Sequence, residues 1–179
     1  MRASAACPRG EGMSAMNPGP RLDRIDIKIL AELQSSGRIT NVELAERVAL
    51  SPSPCFMRVK KLQKAGHITG YAAQIDMAKL GEVLTVFTEF TLKNHRQIDF
   101  ARFQDALAKI DRCTECHLVS GGYDCLVKFI TSGLTDDQTV IEGLIDRDLG
   151  IDKYFSFVVI KSPIVKTQLP LTHLFADRH

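Results

Sequence analysis

The sequence predicts an α+β chain in two units: a winged helix-turn-helix in the first half and a ferredoxin-like βαββαβ sheet in the second. Between Thr40 and Leu62, two capped helical stretches are separated only by Ala49-Leu50, a link that allows nothing but an abrupt turn. From Val83 the apolar spacing shifts from a helical three-and-four to short alternating runs interrupted by two helical stretches. Charge divides the same way. Arg21 to Gly70 holds nine Lys/Arg against five Asp/Glu, whereas Tyr71 to the C-terminus holds twelve against fifteen. A basic front and a mildly acidic back fit a nucleic-acid-binding unit joined to a module with another task.

Residues 1–20, rich in Ala, Ser, Gly and Pro, are expected to form a disordered extension. No apolar run approaches the roughly 20 residues that cross a bilayer, and none suits a signal peptide, so a cytoplasmic protein with no membrane partner is expected. The five cysteines, Cys7, Cys55, Cys113, Cys116 and Cys125, are an odd number that suits reduced thiols better than a disulfide framework.

The winged helix-turn-helix is assigned to residues 21–75. Its first helix runs from Leu22 to Ser36, with Asp23 as N-cap, Ile25, Ile29, Leu30 and Leu33 as its stripe, and Gly37 as its stop. Thr40 and Glu43 form a capping box for the second helix, which turns Leu44, Ala45 and Val48 inward. Ser51 is the expected side-chain cap of the third helix, Pro52 its first residue, and Cys55, Val59 and Leu62 its buried face. Gly66 ends that helix, and residues 67–76 are expected to pair as the strands of the wing.

The outward side of the third helix is expected to carry Ser53, Pro54, Met57, Arg58 and Lys61. Small polar residues in the first turn and cations beyond them suit the major groove of double-stranded DNA. Ser53, Pro54, Met57 and Arg58 are assigned to base edges. Arg38, Lys60, Lys61 and Lys64, with backbone N–H groups near Thr40 and Ser51, are assigned to phosphates.

A linker, residues 76–82, leads to the second unit at 83–162. Val83–Leu92 is its first strand and Asp99–Ile110 its first helix; Cys116–Val119 and Cys125–Ile130 are paired strands. Thr135 and Gln138 are expected to cap a second helix that continues to Leu149 and is closed by Gly150; Tyr154–Ile160 is the last strand. Two helices cover one face of such a sheet. Because Phe155, Phe157 and Val159 alternate with Val158 and Ile160, the other face needs cover too, and a homodimer is the simplest source. Residues 163–179 form a C-terminal tail.

No catalytic set emerges: the histidines are scattered and none accompanies a nucleophile, so the chain is not expected to be an enzyme. Cys113-Thr-Glu-Cys116-His117 fits the c-type haem pattern, but regular strand alternation would place its two thiols on opposite faces. No metal or other cofactor is therefore expected. The turn Ser120-Gly-Gly-Tyr-Asp124 is a candidate amino-acid site: glycines let backbone N–H groups converge on a carboxylate, and Asp124 offers a partner for an ammonium. On composition, a plain tight hairpin is the stronger reading.

The stretch Gly37-Arg-Ile-Thr-Asn-Val-Glu-Leu-Ala-Glu-Arg-Val-Ala-Leu-Ser-Pro-Ser-Pro-Cys55, with Arg58-Val59, Leu62 and Gly66-His-Ile-Thr-Gly-Tyr71, resembles the Lrp/AsnC, or feast/famine, transcriptional regulators of bacteria and archaea. The resemblance extends from Leu22 to about Leu171. It implies a sequence-specific regulator of amino-acid metabolism whose dimers assemble into tetramers or octamers. It also implies a small amino-acid effector beside the Ser120–Asp124 turn at the interface between dimers, which reverses the hairpin-only reading. Gly121, Gly122, Tyr123 and Asp124 are then the effector residues, with Ser156 and Val158 candidates to line the cleft from a neighbouring chain. Gly121 and Asp124 match the family pattern; Gly122 stands where Asp or Asn is more usual, and Cys125 where Tyr is. Two alternatives share this architecture or its DNA-binding half: a tetrapyrrole (sirohaem) decarboxylase-like enzyme and a ligand-independent architectural DNA-binding protein.

Overall fold

The computed structural model describes residues 22–175; the expected disordered extension, with Cys7, lies outside them. The described residues divide into two compact units, one holding 22–73 together with 166–175, the other Gln74–Val165.

The first unit is built on three helices. α1 (Arg24–Ser35) opens with a reciprocal cap: the Asp23 carboxylate accepts the Asp26 N–H at 2.8 Å and the Asp26 carboxylate accepts the Asp23 N–H at 3.2 Å. α2 (Asn41–Arg47) has the expected Thr40–Glu43 box, with bonds of 3.2 and 3.0 Å. α3 (Pro52–Lys64) starts where the sequence places it, yet the Ser51 side chain makes no capping bond. Part of the reason is local. An N-cap oxygen accepts from the second or third helical N–H; the third helical residue is Pro54, which has none, so only the Ser53 N–H is left and the side chain does not take it. Ile29, Leu44, Ala45, Val48, Cys55 and Leu62 close the core between the helices.

The turn between α2 and α3 is set by backbone geometry. Ala49 lies in the left-handed region at φ 57°, and the Leu50 N–H donates to the Ala45 carbonyl at 2.8 Å. The Asn41 side chain donates to the Pro52 carbonyl at 2.8 Å, tying the starts of the two helices together. A left-handed non-glycine residue costs about 1–2 kcal/mol, partly offset by the extra unfolded-chain entropy of glycine. Ala49→Gly is therefore expected to stabilise this unit by about 0.5–1 kcal/mol, read as a higher urea midpoint with an unchanged slope.

Two expectations for this unit need correction. Residues 67–76 contain no strand; they run as irregular chain after Gly66, which turns at φ 76°. An isolated two-stranded ribbon is marginal in water, so nothing local enforces the pairing. Gly37 is not a left-handed stop either. A Cβ there would stand 3.4 Å from the Tyr71 ring, an ordinary van der Waals contact, so the packing does not demand glycine. The unit is completed by the short C-terminal helix α6 (Leu171–Leu174), which lies against α1.

The second unit follows the expected order: β1 (Leu84–Leu92), α4 (Gln97–Leu107), β2 (Cys113–Leu118), β3 (Cys125–Thr131), α5 (Leu134–Ile145) and β4 (Ile151–Val158). The sheet is antiparallel, in the order β2-β3-β1-β4. Phe90, Leu92, Cys125, Val127 and Phe129 pack beneath Phe103, Leu107, Val140, Ile141 and Leu144 of the two helices. Phe90 and Phe103 meet edge to face with centroids 5.1 Å apart.

The Thr135–Gln138 capping box does not form, because α5 starts at Leu134 and Thr135 is already inside its first turn. Asp136 closes the turn instead, accepting the Ser132 N–H at 3.0 Å and its hydroxyl at 3.2 Å, while Arg112 pairs with it at 2.8 Å. The Ser132 N–H and then Arg112 hold the Asp136 carboxyl below its usual range. α5 stops at Ile145, short of Leu149; Asp148 at φ 47° and Gly150 at φ 74° turn the chain into β4.

β2 overturns the alternation expected for the Cys113–Cys116 segment. A bulge between Cys113 and Glu115 sets Cys113 opposite Phe129 and Cys116 opposite Val127, so both thiols lie on the helix-covered side. Burial pushes the Cys113 thiol up to about 11. The Cys116 and Cys125 thiols share a hydrogen bond that favours ionisation at Cys116 and opposes it at Cys125.

Candidate nucleic-acid and effector interfaces

Cys55 and Leu62 anchor α3 in the core, which leaves Ser53, Pro54, Phe56, Met57, Lys60, Lys61 and Lys64 exposed on its outer side. Met57 is 64% exposed, a large apolar cost in water that contact with a thymine methyl or base edge would remove. Lys60 Nζ stands 5.5 Å over the Phe56 ring, which steadies both side chains at the rim of this face. Arg38 is exposed just before α2. The Thr40 N–H is not offered to phosphate: it donates to Glu43 Oε2.

Arg58 is not on the outer face. Three positions after buried Cys55, it lies at the core's edge, and Nη1 donates to Asp23 Oδ2 at 2.7 Å and to Asp26 Oδ1 at 2.8 Å. Burial pushes the Asp23 carboxyl up, but the Asp26 N–H and the Arg58 guanidinium outweigh it and hold Asp23 below the usual carboxylate range. The same two hydrogen bonds raise the Arg58 guanidinium further. Arg58 therefore clamps α3 to the start of α1, and its expected base contact is withdrawn. Both contacts run through Nη1 and hold the guanidinium against the start of α1 rather than out over the exposed face of α3. The Asp23/Asp26 pair, one helical turn apart at a cap, was the sequence signal for this.

In the sheet unit, residues 119–124 form a closed turn: the Val119 N–H donates to the Asp124 carbonyl at 3.0 Å and the Asp124 N–H to the Phe90 carbonyl at 2.9 Å. Gly121 has φ 154°, a conformation that side chains disfavour. Asp124 Oδ2 accepts the Leu92 N–H at 2.7 Å and lies 3.1 Å from His95 Nε2, whose ring stacks on Phe100. One carboxylate oxygen thus latches the turn to the end of β1. His95 is a neighbour of this turn that sequence reasoning missed, because its loop and the turn meet only through β1–β3 pairing.

Gly121 and Gly122 are exposed, and Tyr123 is half-buried beside them. Ser156 and Val158 are elsewhere. They lie on β4, opposite Thr88 and Val86, with the Ser156 and Thr88 hydroxyls 3.0 Å apart. β4 and the β2–β3 turn occupy opposite sides of β1, so a single chain does not bring the two sets together.

The sheet face away from the helices is open. Phe87 opposes Phe157 and Glu89 opposes Phe155. Phe155 and Phe157 are 58% and 52% exposed. Towards β2 the same face turns polar, with Lys128 Nζ 2.7 Å from Glu115 and His117 3.3 Å from it.

Residues 22–69 match the family model described as winged helix-turn-helix DNA-binding, and residues 85–169 that described as Lrp/AsnC ligand binding domain. The chain is 42% identical over 142 residues to the transcriptional regulatory protein DoeX of Halomonas elongata, covering 79% of this chain and 90% of that protein. It is 40% identical over 148 residues to the leucine-responsive regulatory protein of Escherichia coli K12, covering 83% and 90%. Among solved structures, the L-Met complex of a transcriptional regulator from Neisseria meningitidis aligns with TM-score 0.78 at 34% identity, covering 86% of this chain and 99% of that one. With both halves matched in order and relatives of this identity covered almost end to end, the chain belongs to the Lrp/AsnC family of transcriptional regulators.

Proposed function

We propose that this protein reads operator DNA with the exposed side of α3 and adjusts that binding to a small amino acid held at the 120–124 turn. The observation that carries the DNA reading is the outer face of α3: Ser53, Pro54 and Met57 lead, and Lys60, Lys61 and Lys64 follow. The first group suits base edges. The lysines, with Arg38 and the Ser51 hydroxyl, suit phosphates. The words "leucine-responsive" and "L-Met" attached to two relatives support an amino-acid effector. Gly121, Gly122 and Tyr123 would offer backbone N–H groups to its carboxylate, and Asp124 Oδ1 would face its ammonium, Oδ2 being already engaged. Ser156 and Val158 would come from a neighbouring chain.

The same reading has the open sheet face covered by a second copy, whose apolar Phe155 and Phe157 would match its own. Dimers meeting at the effector turns would form the tetramer or octamer, so effector binding shifts assembly and the spacing of paired α3 helices. No catalytic role is assigned, and among the described residues no helix is long and apolar enough to cross a membrane.

Titration of a duplex pool with the Lys61→Ala, Lys64→Ala double variant is expected to flatten the logarithmic salt dependence by about 1–2 and to weaken all sequences alike. Met57→Ala is expected to lose sequence preference, by about 1–3 kcal/mol. An unchanged salt slope and preference would remove α3 from the interface. A thermal-shift screen of the twenty amino acids tests the effector half, and a melting temperature that none of them moves would count against it.

A further inference from the structure

The C-terminal segment has a place in the fold that its position after the regulatory sheet does not suggest. The chain leaves the first unit at Ala73, passes through the second, and returns at Lys166. The return is held by a reciprocal amide pair: Gln34 Nε2 on α1 donates to the Leu169 carbonyl at 3.3 Å, and the Leu169 N–H donates to Gln34 Oε1 at 2.9 Å. A side-chain amide that offers one donor and one acceptor in this way imitates the edge of a strand. Pro170 then turns the backbone, its carbonyl accepting the Leu174 N–H at 2.9 Å, and α6 settles against α1.

We propose that residues 166–175 are a return strap that gives the DNA-binding unit a second attachment to the sheet unit. Each bond in the strap is exposed and weak by itself. It persists because the seven residues between the end of β4 at Val158 and Lys166 keep its local concentration high. Those seven residues span at most roughly 25 Å when extended, so the strap limits how far the unit swings on its other connection. α1 is the helix that receives it, and α1 is also what Arg58 of α3 is clamped to. In a paired protein that reads two half-sites, such a strap narrows the range of half-site spacings that both copies can bridge. This last consequence rests on the proposed DNA-binding role; the strap does not.

Three proteins test it: the full chain, the full chain with Gln34→Ala, and the chain ending at Val165. Hydrogen exchange reports on the strap directly. Both variants are expected to speed exchange of the α1 amides at residues 29–35 by roughly tenfold or more, with the β1 and β3 amides unchanged. Equal exchange in all three overturns the strap, and Gln34→Ala keeps the test valid if the shortened chain does not fold. Selection from a random duplex library reports on its consequence. The full chain is expected to enrich paired half-sites at a narrow spacing, and the variants to enrich the same half-sites at several spacings within about threefold of one another. Identical spacing distributions overturn the coupling. Failure of the full chain to enrich any sequence overturns the DNA-binding role instead, and leaves the exchange result to decide the strap.

Discussion

Arg58→Ala is expected to destabilise the helix-turn-helix unit by about 2–3 kcal/mol, because it leaves the buried Asp26 carboxylate without its charged partner. Asp26 is only 5% exposed, whereas the Arg58 side chain keeps 31% of its surface, so the cost falls below that of a fully buried pair. Arg58→Lys should recover part of it, since both contacts run through the single Nη1 and a shorter ammonium keeps the charge near the carboxylates without its reach. The loss has a pH signature. The folded-state pKa of Asp23 is depressed, so its contribution is present above the unfolded value of about 3.9 and disappears as pH falls through the folded one. The gap between the native protein and Arg58→Ala should therefore narrow below about pH 4. Urea denaturation at pH 7 and pH 3 measures both. Native stability in Arg58→Ala at pH 7, with DNA binding alone reduced, would return Arg58 to the DNA face.

On the proposed pairing of sheet faces, replacing Phe157 by Asp is expected to give a monomer without unfolding the chain. The side chain stands half in water within one chain, where Asp is tolerated; against a second sheet it would bury an unpaired carboxylate. Sedimentation of the native and Phe157→Asp proteins reads the change directly. Binding to duplexes with two half-sites should fall by about 10²–10⁴-fold as avidity is lost, while binding to one half-site is retained. Unchanged association would mean that Phe155 and Phe157 are not the face through which copies meet.

What was legible in the sequence was whatever short-range chemistry decides. The Thr40–Glu43 box, Pro52 at the head of α3, the Cys55–Leu62 buried face and the βαββαβ order are set within three or four residues or by simple alternation, and all are present. Errors arose where a second residue intervened. Pro54 removed one of the two N–H groups open to a Ser51 cap, a bulge at Cys113–Glu115 brought two thiols onto one face, and Asp136 took over the role given to Thr135. The candidate sites divide in the same way. Met57 and the lysines are exposed as their helical phase requires, whereas Arg58 was misplaced because one position near the boundary of two faces goes to whichever partner tertiary contact supplies.

Local propensity and period thus determined the three helices of the first unit and the βαββαβ order of the second, but not the wing or the C-terminal helix. Only the tertiary structure decided that Asp23 and Asp26 claim Arg58, that Asp124 is latched to the end of β1 beside His95, and that Leu169 returns to Gln34. Those pairs are separated by 29 to 135 residues, and their polar groups meet only after apolar burial has packed the elements that carry them.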